Sequence, residues 1–286
     1  MNRLYKVIDV FSSTPLLGNP VAVILDSEGL TDDQMQMIAR WTNLSETTFV
    51  LKAKSDKADY FLRIFTPENE LQFAGHPTLG SAYAIIESGL YRPKNGVLVQ
   101  ECGVGLITIN CDTSNEHMKL TLQMPESKQR VLSKEEITEL NTILGQKVLH
   151  VPAPSIIDVG IHWIVAQVES TNLLLDIKPD FARSAAFEKR LDATGITIYA
   201  VDENEVEVRS FAPSTGSNED PVCGSGNGSV AIFRLNAGQI SNDSAYVARQ
   251  GRKVHRDGYI SINITSDGKI LVGGECVTTV EGTLLV

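Results

Sequence analysis

Cysteine is scarce: 4 in 286 residues, with no CxxC pair. A disulfide framework is thereby excluded, and Cys102, Cys111, Cys223 and Cys276 read as reduced thiols of a cytosolic protein. There are 2 tryptophans and 5 histidines, and no His/Cys cluster has zinc spacing, so no metal is expected. No apolar run approaches the roughly 18 residues that a membrane span needs. The opening stretch MNRLYKVIDVF lacks the apolar core and small-residue cleavage site of a leader. Positive charge is also short: Lys and Arg number 25 against 35 Asp and Glu, a net charge of −10. A nucleic-acid backbone and an anionic membrane are therefore poor partners. No phosphate-binding loop carries a lysine.

What is present describes a soluble globular protein with material for real cores: 42% hydrophobic and 21% charged residues. The length suits roughly two domains. An internal repeat supports that division. Residues 63–89, RIFTPENELQFAGHPTLGSAYAIIESG, are answered by residues 209–238, RSFAPSTGSNEDPVCGSGNGSVAIFRLNAG. Gly75 to Gly89 is a step of 14, and so is Gly224 to Gly238. Arg63-x-Phe65-x-Pro67 matches Arg209-x-Phe211-x-Pro213, and Gln100 matches Gln250. The offsets are 146, 149 and 150, the drift that loop insertions produce. A period of half the chain means two similar domains rather than a solenoid. We place them at 1–126 and 131–286, with the polar stretch 126–130 as the linker.

Each copy of the repeat reads as strand, polar loop and helix, and the helices are apolar nearly all round, the mark of a buried helix. Only Arg234 breaks the second one. Strands are expected at 4–10, 21–25, 44–51, 60–65, 97–100, 106–110 and 118–123, then at 148–151, 161–168, 197–201, 205–210, 246–248, 259–264, 270–272 and 278–286. Thr31 with Gln34, and Ser133 with Glu136, are capping-box signals for two further helices. A third outer helix is expected near 179–191. The class is α+β: two alike halves, each a strand-rich, barrel-like sheet wrapped round one buried helix. The pattern does not tell which half keeps the last strand.

Both buried helices begin in a glycine-rich turn, Gly75-His76-Pro77-Thr78 and Gly224-Ser225-Gly226. Pro77 suits the first helical position, where its missing N–H is not needed. Free amides and the helix dipole there make an anion site, so a small carboxylate-bearing molecule held between two such ends is the expected ligand. The run Gly224-x-Gly226-x-Gly228 is not a dinucleotide fingerprint, because its lead-in SNEDPVC is no strand and the spacing is wrong. Glu46 is the candidate acid or base: it starts a strand, and its counterpart in the second half is Ile196, a difference that packing alone does not require. His76 and Asp220 are further candidates, with the plainer roles of helix cap and turn residue beside them. Cys223 precedes the second helix, where amides and dipole lower a thiol's pKa; a reactive thiol and a packed one both remain open. His162 is placed on the wall of the same cleft.

Together, five stretches resemble the PhzF family of phenazine biosynthesis-like proteins, within the diaminopimelate epimerase-like fold. They are Gly18-Asn19-Pro20-x-Ala22-Val23, Ser45-Glu46-Thr47, Phe65-Thr66-Pro67, Gly75-His76-Pro77-Thr78 and Glu219-Asp220-Pro221-Val222-x-Gly224-Ser225. The resemblance implies a cofactor-free isomerase in which Glu46 moves a proton on a small carboxylate-bearing substrate. His76, Asp220 and Ser225 match the family's other catalytic positions. Asn19, Gly75, Pro77, Thr78, Cys223, Gly224 and Gly226 would bind the substrate. A homodimer is implied too. Related epimerases use two cysteines at the helix starts; here the first such position is Ala74, which disfavours a two-thiol racemase. The family more often has threonine at position 223, so an epimerase pairing Glu46 with Cys223 stays open, as does a binding protein without catalysis.

Overall fold

A computed structural model of the chain describes residues 2–114, 117–203 and 205–286. In chain order the first elements are β1 (Asn2–Val10), β2 (Asn19–Ile24), α1 (Asp32–Thr42), β3 (Thr47–Lys52), β4 (Tyr60–Phe65), β5 (Glu70–Leu71), α2 (Gly75–Glu87), β6 (Val97–Cys102), β7 (Gly105–Asp112) and β8 (Lys119–Gln123). There follow β9 (Lys128–Val131), α3 (Lys134–Leu144), β10 (Ser155–Asp158), β11 (His162–Gln167), α4 (Thr171–Asp176), α5 (Phe181–Leu191), β12 (Gly195–Asp202) and β13 (Glu205–Ala212). The last are β14 (Ser217–Asp220), α6 (Gly224–Asn236), β15 (Ser244–Gln250), β16 (Gly258–Ile264) and β17 (Ile270–Leu285). Two compact units result: Met1–Leu122 with Gly273–Val286, and Gln123–Val272.

The first unit is a closed ring of strands. β1 pairs with β2, β2 with β3, β3 with β4, β4 with β6, β6 with β7 and β7 with β8. β8 pairs with β17, and β17 returns to β1 from Asn2↔Leu285 to Val10↔Cys276. The β2–β3 and β4–β6 pairs are parallel, and each needs a crossover, supplied by α1 and α2. α2 packs against β1, β2 and β3. It can do so because its inner face is small: a Cβ on Gly80 would lie 2.4 Å from Val21 Cγ1 and 2.9 Å from Val10 Cγ2. Any larger residue there would force the helix off the sheet.

The second unit repeats the order of pairing: β10–β11, then β11–β12 parallel, β12–β13, β13–β15 parallel and β15–β16. Here α6 packs against β10, β11, β12 and β16. The two central helices are each 13 residues long, and Gly89 and Gly238 past their ends have φ of 72° and 68°. That left-handed conformation is what the paired glycines of the repeat supply. The outer core of this unit gathers Leu140, Ile143, Ile164, Phe187, Ile196 and Phe211.

Both capping boxes form: Thr31 and Ser133 accept from the backbone of Gln34 and Glu136, whose side chains return the bond. Three expectations are corrected, and one element was not anticipated. The polar stretch 126–130 is not a plain linker, since Lys128–Val131 forms β9 and pairs with β10 while its side chains stay exposed. Residues 148–151 are not a strand. The strand begins at Ser155, past Pro152 and Pro154, neither of which has an N–H for a ladder. The short helix α4 gives no signal long enough to read. The strands expected at 270–272 and 278–286 are one strand, β17, and residues 273–286 pack with the first unit because β1 is their partner. Among the described residues, no helix is long and apolar enough to cross a membrane.

Candidate active site

In the first unit the structure brings Glu46 and His76 together. α1 ends at Asn43 with φ 53°, and the chain reverses into β3. Glu46 sits immediately before β3 rather than within it, its carbonyl accepting from the Ala22 amide. β3 is tied to α2 by a 2.7 Å hydrogen bond between the hydroxyls of Thr48 and Ser81. That packing sets the start of β3 beside the first turn of α2. There His76 Nε2 lies 3.4 Å from Glu46 Oε2, with their side chains 10% and 16% exposed. Burial pushes the imidazole pKa down to about 3, against a weaker upward effect of its hydrogen bond to the Pro20 backbone. The ring is therefore neutral at physiological pH.

The rest of this turn offers amides. α2 is capped by Ala74, which has no side-chain acceptor, so the first turn's N–H groups point outward unclaimed by a cap. Pro77 is the third helical residue, not the first, and still falls among the positions whose N–H is not needed. A Cβ on Gly75 would meet nothing within 4 Å and its φ is not positive, so neither packing nor backbone strain calls for glycine there. Thr78 accepts from Gln100 Nε2 at 3.1 Å. Asn19 is buried at the start of β2.

In the second unit Asp220, Cys223 and Ser225 form another group. Asp220 ends β14, Cys223 caps α6 and Ser225 is that helix's second residue. Asp220 Oδ1 accepts from the Val222 amide at 3.0 Å. The Asp220 residue keeps some surface, but its carboxyl group is enclosed, and burial raises its pKa to about 6 against hydrogen bonds from Cys223 and Val222 that lower it. Cys223 Sγ accepts from the Gly226 amide at 3.3 Å. The predicted fall in its thiol pKa is not found. Burial, and next the charge of Asp220, push it well above the ordinary value and outweigh the helix amide. Gly226 is required by packing, since a Cβ would lie 2.8 Å from both Ser210 Oγ and Thr197 Oγ1.

Several residues that position these groups escaped the sequence. Gln250 Oε1 accepts from the Cys223 amide at 3.2 Å and from Asn227 Nδ2 at 2.7 Å, while its Nε2 donates to the Asp220 carbonyl at 2.9 Å. Gln100 and Gln250 thus do matching work: each holds the fourth residue of a central helix, Thr78 or Asn227. The repeat marked both glutamines, but as markers of duplication only. Trp163 Nε1 donates to Ser225 Oγ at 3.1 Å, and nothing in the sequence links the two. His162 does not join the group; its Nδ1 meets the Asp192 carbonyl at 2.6 Å at the start of β11. The repeated arginines form matching forks: Arg63 donates twice to Glu70 at 2.7 Å, and Arg209 twice to Glu219 at 2.9 and 2.8 Å.

The family described as phenazine biosynthesis-like protein matches residues 8–282. Among curated proteins, the chain is 40% identical to antisense-enhancing sequence 1 of Schizosaccharomyces pombe over 97% of each chain. It is 33% identical to trans-2,3-dihydro-3-hydroxyanthranilate isomerase of Pseudomonas chlororaphis over 99% of each. Among solved structures, the phenazine biosynthesis protein of the PhzF family from Bacillus anthracis superimposes with a TM-score of 0.89 at 25% identity, covering 100% of both chains.

Proposed function

The chain belongs to the PhzF family of phenazine biosynthesis-like proteins and is an isomerase of that family, and from this premise we propose that Glu46 is the group that moves the proton. The observation that carries this is the enclosed pair of Glu46 and His76, 3.4 Å apart. A carboxyl group sheltered from bulk water can take a proton from one carbon of a bound substrate and return it to another. The neutral imidazole packs against that carboxyl without adding a positive charge that would weaken it as a base.

The uncapped first turn of α2, with Gly75 leaving its backbone open to approach, suits a substrate carboxylate. Pro77 and Thr78 shape that turn and Asn19 belongs to the same unit, while Gly224 and Gly226 form the corresponding turn of α6 in the other. Asp220, whose carboxyl titrates near 6, can hold or release a second proton close to neutrality. Ser225 Oγ accepts from Trp163 and lies 3.6 Å from Cys223 Sγ, so its proton can go to that sulfur or, in its place, to a bound substrate. In this scheme no cofactor takes part. The substrate class is a small amino or hydroxy acid with an acidic C–H, of which trans-2,3-dihydro-3-hydroxyanthranilate is the first to try. An epimerase pairing Glu46 with Cys223 is disfavoured by the raised thiol pKa, since a thiol that resists ionisation is a poor base. We also propose a homodimer, to be checked by light scattering.

The deciding experiment follows product formation and deuterium uptake from heavy water with that acid. Wild-type enzyme should incorporate solvent deuterium, Cys223→Ala should remain active, and Glu46→Gln should lose turnover by about a thousandfold or more. Retained turnover in Glu46→Gln would remove the proposal.

A further inference from the structure

The helix position that breaks the apolar pattern of α6 is Arg234. Its counterpart 149 residues earlier is Ile85, fully buried in α2, so the fold itself does not ask for a cation here. Arg234 is 7% exposed, and its Nε and Nη1 are buried without a hydrogen-bond partner. Its guanidinium lies over the Tyr246 ring, 4.5 Å from the centroid. Beside it is a cavity of about 740 Å³, a volume within the ordinary range for small-molecule sites. Two further arginines line it, but both are satisfied: Arg252 by Glu207 at 2.9 Å and Arg249 by Asp257 at 2.5 Å. Among the described residues lining the cavity, Arg234 is the arginine with no carboxylate partner. Counting ten residues at about 1.5 Å each, it stands about 15 Å along α6 from Gly224, away from the Asp220 group.

We propose that the cavity at Arg234 is a second binding site, for a small molecule bearing a single carboxylate. A buried guanidinium whose charge no carboxylate balances is costly, and a carboxylate is the planar, two-toothed acceptor that matches its fork. Tyr246 and Tyr259 offer ring faces to an apolar or aromatic body. Glu203 and Glu205 are exposed on the cavity's lining. They repel a second negative charge, so nucleotides and other polyanions are excluded. The site is independent of the role given to Glu46.

The test uses 4-bromobenzoate with the full-length protein. Crystals soaked in it should show anomalous bromine density beside Arg234 and Tyr246, and the same peak should persist in Glu46→Gln. Calorimetry should find this binding in solution, weakened by about tenfold or more in Arg234→Met. If Arg234→Met does not fold, Arg234→Lys keeps the charge without the fork and should bind correspondingly weaker. Bromine density that avoids Arg234, density there that survives Arg234→Met, or binding in solution unchanged by either variant would overturn the proposal.

Discussion

The indole N–H of Trp163 donates to the hydroxyl of Ser225 at 3.1 Å. β11 thereby sets the rotamer of the second residue of α6 from below. Trp163→Phe keeps the ring and removes the donor. We expect kcat/KM to fall by about tenfold, the worth of one well-placed hydrogen bond, with little change in Tm. Steady-state kinetics beside a thermal melt checks this. A loss of stability with unchanged kinetics would leave Trp163 as packing alone.

His76 makes the fold acid-sensitive. Its folded pKa of about 3 lies below the ordinary value of 6.5, so the unfolded chain binds the extra proton between those values. The stability it protects is complete above that window and drains away as pH falls through it. His76→Gln should therefore show a flatter denaturation midpoint between pH 6.5 and pH 4 than the wild type. An unchanged slope would mean that the ring is not buried neutral.

Asp220 acts with the opposite sign. Its carboxyl is raised from 3.8 to about 6, so the folded state prefers the proton, and the advantage is lost as pH rises through that window. Asp220→Asn keeps an oxygen for the Val222 amide and should stabilise the protein at pH 7 by about 1–3 kcal/mol while lowering turnover. Urea denaturation measures the first and the deuterium assay the second. A destabilised variant would mean that the charge is satisfied in place.

The two arginine forks should differ in worth although their geometry agrees. Arg209 and Glu219 are 5% and 10% exposed, and Arg209 also donates to the carbonyls of Leu174 and Ile177. Removing Glu219 strands a buried cation, so Glu219→Ala should cost about 3–5 kcal/mol. Arg63 and Glu70 are 19% and 34% exposed, and Arg63 keeps Asp32, so Glu70→Ala should cost about 1 kcal/mol or less. Equal losses in chemical denaturation would refute the comparison.

Much of this could be read before any coordinates. The spacing of Gly75 and Gly89 against Gly224 and Gly238 showed both central helices, because a left-handed residue past a buried helix leaves a mark that chemistry cannot disguise. Thr31 and Ser133 showed two more, because capping is local. Glu46 and His76 were expected in one site, but the packing of β3 on α2 that pairs them across 30 residues was not legible. β9 was hidden by its own exposure: its four side chains face water, so no alternation betrays it. Cys223 misled because the helix end that lowers a thiol's pKa is visible in sequence, while the burial and the Asp220 charge that raise it are not. Trp163 and Gln250 act across 62 and 30 residues, distances at which a sequence offers no geometry at all.

The allegiance of the final strand has a consequence for biosynthesis. β17 is the stave that lies between β8 and β1. A ribosome making this chain from its amino end releases β1 early, yet the hoop around α2 cannot shut until residues 273–285 emerge. The other unit, Gln123–Val272, is translated without interruption and can set first. The half made first is thus the half finished last, and for most of its synthesis β1 waits with an open edge.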